Sequence, residues 1–294
     1  MCDEQDLAKF DWKALNRRQF AGFGAVGAAA SLTACSATGT MLGADEAASR
    51  LTERTVTIET PDGQMDAFFV HPIGERRPGV LLWPDIAGLR EAFMVMARRL
   101  ASEGYAVLVA NQCYRSQQAP LWADFAAFQG DNGFEKAGTM REMLGPQAIM
   151  RDATAAIAWM DAQEAVDTTR GIGTQGYCMG GPFTVYTAAA VPTRVRAAAS
   201  LHGGGLVRDG EMSPHRLLDD TKAAFLFAIA QNDDEKDPQV KAVLRQAAQA
   251  AGVPVEVEVY PADHGWTVLD SPAYEEAAAE RAYDNILKLY ESQL

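Results

Sequence analysis

Histidine is scarce in this chain of 294 residues, with four copies at positions 71, 202, 215 and 264, so a general base has few candidates. Positive charge is also short: 26 Lys and Arg against 39 Asp and Glu leave a net charge of −13. That balance excludes a broad phosphate-binding face, and with it nucleic acid as a partner. An acidic substrate would work against the overall field and need a local arginine. The four cysteines, at 2, 35, 113 and 178, form no CxxC pair and have no zinc-ligand spacing. No metal and no cofactor is expected from this composition. What remains is ordinary for a globular protein, 48% hydrophobic and 22% charged, with length enough for a large core.

The first forty residues read as an address, not as fold. Asn16-Arg17-Arg18-Gln19-Phe20 resembles a twin-arginine export motif, and a mild apolar run follows from Ala21 to Leu32. That run is shorter than the roughly 20 residues of a membrane-spanning helix and suits the apolar region of a signal peptide. Leu32-Thr33-Ala34-Cys35 then resembles a bacterial lipobox, in which the cysteine is lipidated and becomes the first residue. The alternatives are an amphipathic N-terminal helix or cleavage without lipid. We expect a signal peptide over 1–34, a tether over 35–52 and one domain over 53–294. The chain would be carried by the twin-arginine translocase, and the mature protein would be periplasmic or a membrane-anchored lipoprotein in a bacterium, meeting the membrane only through acyl chains on Cys35. Cleavage would remove four basic and four acidic residues and leave the net charge at −13. Because that route exports folded proteins, Cys113 and Cys178 would be packed away before meeting an oxidising compartment.

From about residue 53, apolar strand-like runs alternate with helical patterns. Thr55–Thr60 and Met65–Val70 flank Pro61-Asp62-Gly63, a hairpin signal. Gly79–Trp83 and Tyr105–Val109 are continuously apolar, as strands buried on both faces tend to be. Gly171–Gln175, Ala197–Leu201, Ala224–Ala230 and Val255–Tyr260 read as further strands, and Glu91–Ser102, Ala148–Met160, Val240–Ala251 and Tyr274–Glu291 as helices. This order predicts an α/β fold: a doubly wound, mostly parallel sheet with an N-terminal β-hairpin and helices on both faces. Residues 116–146 break the rhythm with Trp122, Phe125, Phe128 and Phe134, either walling a pocket or packing on one another.

Gly176-Tyr177-Cys178-Met179-Gly180-Gly181 has the G-x-nucleophile-x-G form of a nucleophile elbow, with cysteine as the nucleophile. The bland alternative is a glycine turn around an inert buried thiol. A thiol needs a base, and the base needs an orienting acid. Asp233 follows the Ala224–Ala230 strand, with Asp234 as a substitute, and His264 follows Val255–Tyr260. The order nucleophile, acid, histidine, with each on a loop after a late strand, is that of α/β hydrolases.

With these residues in view, the chain from about residue 55 onward resembles the dienelactone hydrolase family of α/β hydrolases. The resemblance rests on Gly176–Gly181, Asp233 and His264-Gly265. It implies Cys178, Asp233 and His264 as the triad, and the backbone N–H groups of Met179 and Ile86 as oxyanion donors. It also implies hydrolysis of a small ester or lactone through a thioester. The family's glutamate beside the Ile86 position is Asp85 here, one methylene shorter. Arg115 matches a family arginine that binds a substrate carboxylate. Where the family places a second such arginine, this chain has Trp266-Thr267-Val268, so a more apolar ester or lactone is expected, with Trp266 beside it. His202, at a predicted strand end, is a candidate for substrate contact. The rival readings are a lipid-tethered binding protein that keeps the fold without turnover, and thiol redox work, which lacks a nearby resolving cysteine.

Overall fold

The computed structural model describes residues 51–294; the expected signal peptide, most of the expected tether and Cys35 lie outside the described residues. Strands β1 (Leu51–Thr60) and β2 (Gly63–Pro72) form the expected hairpin, antiparallel with Thr60 opposite Gly63. The hairpin is longer than the sequence pattern suggested. Leu51 and Thr52, assigned to the tether, pair with Pro72 and His71 and so belong to the sheet.

Six further strands follow: β3 (Gly79–Trp83), β4 (Ala106–Ala110), β5 (Ile172–Tyr177), β6 (Val195–Leu201), β7 (Ala224–Ala230) and β8 (Val255–Tyr260). The sheet order is β1-β2-β4-β3-β5-β6-β7-β8. β2 meets β4 antiparallel, and every pair from β4 to β8 is parallel. β3, β4, β5 and β7 are buried along their whole length, because helices cover both faces.

Helices α1 (Glu91–Ser102) and α8 (Glu276–Gln293) pack on one face. Phe93, Ala97 and Leu100 of α1 and Ala282, Ile286 and Tyr290 of α8 close over Val80, Leu82, Val107 and Val109. The opposite face carries α4 (Pro146–Asp161), α5 (Gly181–Ala190) and α7 (Val240–Ala251). There Ile149, Ile157, Phe183, Val185 and Leu244 pack against Leu81, Leu108, Phe225 and Phe227. Each large apolar side chain buried this way contributes about 2 kcal/mol.

The segment between β4 and α4 holds two short helices, α2 (Phe125–Gly130) and α3 (Gly133–Arg141). Asp124 caps α2 by accepting from Ala127 N at 2.7 Å. A last short helix, α6 (Gln231–Lys236), follows β7 directly. Parallel strands align their carboxyl ends, and the loops at that edge carry the conspicuous residues of the sequence.

Candidate active site

The turn after β5 is an elbow whose backbone crosses itself closely. Cys178 has φ +52°, in the left-handed region that a non-glycine residue enters only under local constraint. A Cβ on Gly176 would fall 2.0 Å from Gly180 O, and one on Gly180 would fall 2.5 Å from the carbonyls of Trp83 and Pro84. No side chain fits at either position. The elbow is thereby pressed onto the end of β3, where Ile86 lies, and α5 starts immediately behind it.

Asp233 and His264 arrive from the ends of β7 and β8. His264 Nδ1 lies 2.6 Å from Asp233 Oδ2, with both side chains partly shielded. That contact places the ring proton on Nδ1, so that Nε2 is the nitrogen that can act as a base. Asp233 stands in the first turn of α6, not on a loop as its position suggested. Asp234, the sequence alternative, is held by Lys241 Nζ at 2.5 Å. The start of α6 and the loop after β8 are also tied together: His264 N donates to Asn232 Oδ1 at 2.9 Å, and Gln231 N to Ala262 O at 3.0 Å.

Ile86 sits second in a tight turn closed by Gly88 N donating to Asp85 O at 3.0 Å, a bond that does not use the Ile86 N–H. The Asp85 carboxylate is bonded within this turn. Its Oδ1 accepts from Ala87 N at 2.9 Å, and its two carboxylate oxygens take Arg90 Nη1 and Nη2 at 2.7 and 2.9 Å. Burial pushes the Asp85 carboxyl up, and the Arg90 charge pulls it back. Arg90, with no exposed surface, is gripped from its other side by Asp270. Gln112 secures the same strand end by donating to the carbonyls of Pro84 and Asp85 at 3.2 and 2.9 Å.

Three candidate substrate contacts have partners within the protein. Arg115 makes a forked pair with Asp152 at 2.8 Å and a further bond to Asp62 at 2.6 Å, locking the hairpin turn to α4. A guanidinium spent on two carboxylates is not available to a third. Trp266 has no exposed surface; its ring stacks on Tyr260 at 5.2 Å and meets His202 edge-on at 5.1 Å. His202 is buried too: Nδ1 accepts from Cys178 N at 3.1 Å, and Nε2 lies 2.8 Å from Thr267 Oγ1. Its ring is 5.0 Å from that of His264.

Cys113 is buried and free, and burial pushes its thiol up to about 12. The aromatic insertion does not pack only on itself. Trp122, Phe125 and Phe128 form one apolar cluster with Ile86 and Ala87, and Met179 packs against it. Among the described residues no group of three His, Cys, Asp or Glu side chains is placed to hold a metal ion. No helix among them is long and apolar enough to cross a membrane.

Arg90, Asp270, Gln112 and Thr267 had no sequence signal. Each works by meeting a partner far along the chain, which spacing does not reveal.

The comparisons with known proteins agree with this fold. A model of the dienelactone hydrolase family matches residues 65–294. A Synechocystis sp. protein provisionally named a carboxymethylenebutenolidase is 28% identical over 244 residues, covering 81% of this chain and 96% of its own. A Klebsiella pneumoniae crystal structure, provisionally named a dienelactone hydrolase, superposes with a TM-score of 0.70 at 23% identity, covering 82% of this chain and 98% of its own. A dienelactone hydrolase-like promiscuous phosphotriesterase from metagenomic libraries gives a TM-score of 0.67 at 22% identity, covering 83% and 99%. With the family model spanning the sheet from β2 to the C-terminus, this chain belongs to the dienelactone hydrolase family.

Proposed function

We propose that the chain hydrolyses a small, predominantly apolar ester or lactone through a Cys178–His264–Asp233 triad and a thioester intermediate. The observation that carries this reading is the 2.6 Å contact of Asp233 Oδ2, in the first turn of α6, with His264 Nδ1, in the loop after β8, together with the left-handed elbow at Cys178. His264 Nε2 takes the thiol proton, and the thiolate attacks the carbonyl carbon. The N–H groups of Met179 and Ile86 hold the resulting oxyanion, an arrangement worth about 3 kcal/mol per donor in a dry site. Collapse expels the alkoxide, which leaves with the proton from His264. His264 then takes a proton from water, and the hydroxide cleaves the thioester to acid and thiol.

The apolar preference follows from what surrounds the elbow. Met179 and Ile86 share a hydrophobic cluster with the insertion, and both Arg115 and Arg90 are held by carboxylates of the protein itself. The names of the carboxymethylenebutenolidase relatives support the ester and lactone class. The expected export by the twin-arginine route and lipidation at Cys35 rest on residues 16–35 of the sequence alone. Loss of p-nitrophenyl acetate turnover in Cys178→Ala is the expected result; turnover equal to the unaltered chain refutes the mechanism. Labelling with radioactive palmitate in a bacterial host, lost in Cys35→Ala, tests the anchor.

A further inference from the structure

His202 follows the last residue of β6, and both of its ring nitrogens are occupied. A backbone amide can only donate, so the Cys178 N–H requires a bare Nδ1. The ring proton then sits on Nε2 and is donated to Thr267 Oγ1. One imidazole thus joins the main chain of Cys178 to a residue three beyond His264. His202 has φ +40° and Cys178 has φ +52°, so two residues in the left-handed region face each other across this bond. Such conformations persist where the surroundings impose them. His202 N donating to Ala228 O at 2.8 Å anchors the histidine to β7 from below.

We propose that His202 is a positioning residue: a neutral imidazole that fixes the backbone of Cys178 and the loop of His264 in one arrangement and takes no proton during turnover. The proposal rests on the acyl-transfer reading for its catalytic consequence, but the arrangement itself is measurable without an ester. Burial, and then the neighbouring His264, holds the His202 pKa well below that of a free histidine. Two histidine rings 5.0 Å apart accordingly divide the work: His264 carries the Asp233 contact and the proton, and His202 carries the geometry.

The test uses the full chain and three variants, His202→Ala, His202→Asn and Thr267→Val. Two rates are read: alkylation of Cys178 by iodoacetamide at pH about 7, followed by peptide mass spectrometry, and kcat/KM for p-nitrophenyl acetate. Asparagine can present Oδ1 where Nδ1 stood and accept from Cys178 N. His202→Ala is expected to slow both rates about tenfold, His202→Asn to restore most of the loss, and Thr267→Val to fall between. Wild-type rates in both His202→Ala and Thr267→Val, or a folded His202→Asn as slow as the alanine variant, overturn the proposal. If the alanine variant does not fold, the asparagine and valine variants decide by the same two rates. A wild-type chain that is alkylated but cleaves no ester defeats the hydrolase reading, and the alkylation contrast still judges His202.

Discussion

Arg90 and Asp270, 180 residues apart, meet in a forked ion pair in which Nε and Nη2 donate to the two carboxylate oxygens at 2.7 Å each. The same guanidinium holds Asp85 on its other side, and Asp270 Oδ2 also accepts from Phe125 N at 3.0 Å. The turn carrying Ile86, the loop after His264 and the aromatic insertion are therefore fastened to one buried cation. Burial opposes the Arg90 charge, and two carboxylates outweigh that cost.

Asp270→Ala leaves Arg90 half-paired in a site that excludes water and removes the acceptor for Phe125 N. Breaking a buried pair from one side costs about 3 to 5 kcal/mol, and urea unfolding monitored by tryptophan fluorescence reads it. A loss below about 1 kcal/mol, the range of an exposed pair, would show that Arg90 is not sealed from solvent as the packing implies.

Asp233 and Asp234 are adjacent in sequence and opposite in consequence. Asp233→Asn removes the acceptor that keeps the proton on His264 Nδ1, and a misplaced tautomer costs about a thousandfold or more in kcat. Asp234 neutralises Lys241 at the α6–α7 junction, so Asp234→Asn is expected to change stability by about 1 kcal/mol or less and leave kcat near wild type. Steady-state hydrolysis of p-nitrophenyl acetate by the two variants separates them. Equal losses in both would mean that the acid is shared.

How far the sequence led depended on whether a feature is local. Gly79–Trp83, Glu91–Ser102, Ala224–Ala230, Val240–Ala251 and Val255–Tyr260 were legible to the residue, because apolar runs and 3.6-residue periodicity are written along the chain. The hairpin was underestimated at Leu51 and Thr52, where an exposed edge strand has polar residues that resemble a tether. The glycine pattern around Cys178 was legible because the close crossings at Gly176 and Gly180 forbid any other residue. Asp85, Arg115, Trp266 and His202 were placed near substrate by motif position. Their side chains meet partners within the protein: Arg90, Asp152, Tyr260 and Thr267. Position along a strand end does not encode that choice.

Arg115→Ala should therefore act on stability, not on substrate choice. Asp152 is fully buried and would keep only Tyr114 OH, at 2.8 Å, as a partner. The expected cost is about 3 kcal/mol in urea unfolding. Relative kcat/KM for neutral esters and for esters bearing a carboxylate should not change. A selective loss of the carboxylate esters would instead mean that Asp62 and Asp152 release the guanidinium to substrate.

The buried His202 makes stability depend on pH in a defined direction. Burial first, and His264 second, lower its pKa in the folded chain from the ordinary 6.5. The unfolded chain regains the ordinary value, so below that pH it binds a proton that the folded chain refuses. Stability is therefore present above about pH 6.5 and declines as the pH falls, with a slope approaching about 1.4 kcal/mol per pH unit from this residue. The titratable groups facing the ring are Cys178 and Tyr177 from the β5 side and His264 from the loop after β8. His215, lowered by burial and by Arg216, adds a slope of the same sign and is present in both proteins compared. Urea unfolding of wild type and His202→Asn between about pH 5 and 7.5 isolates the His202 contribution. The stability advantage of wild type should shrink as the pH falls below about 6.5. Parallel curves would mean that His202 takes up its proton as easily in the folded chain as in the unfolded one, and that Nδ1 does not depend on the Cys178 amide.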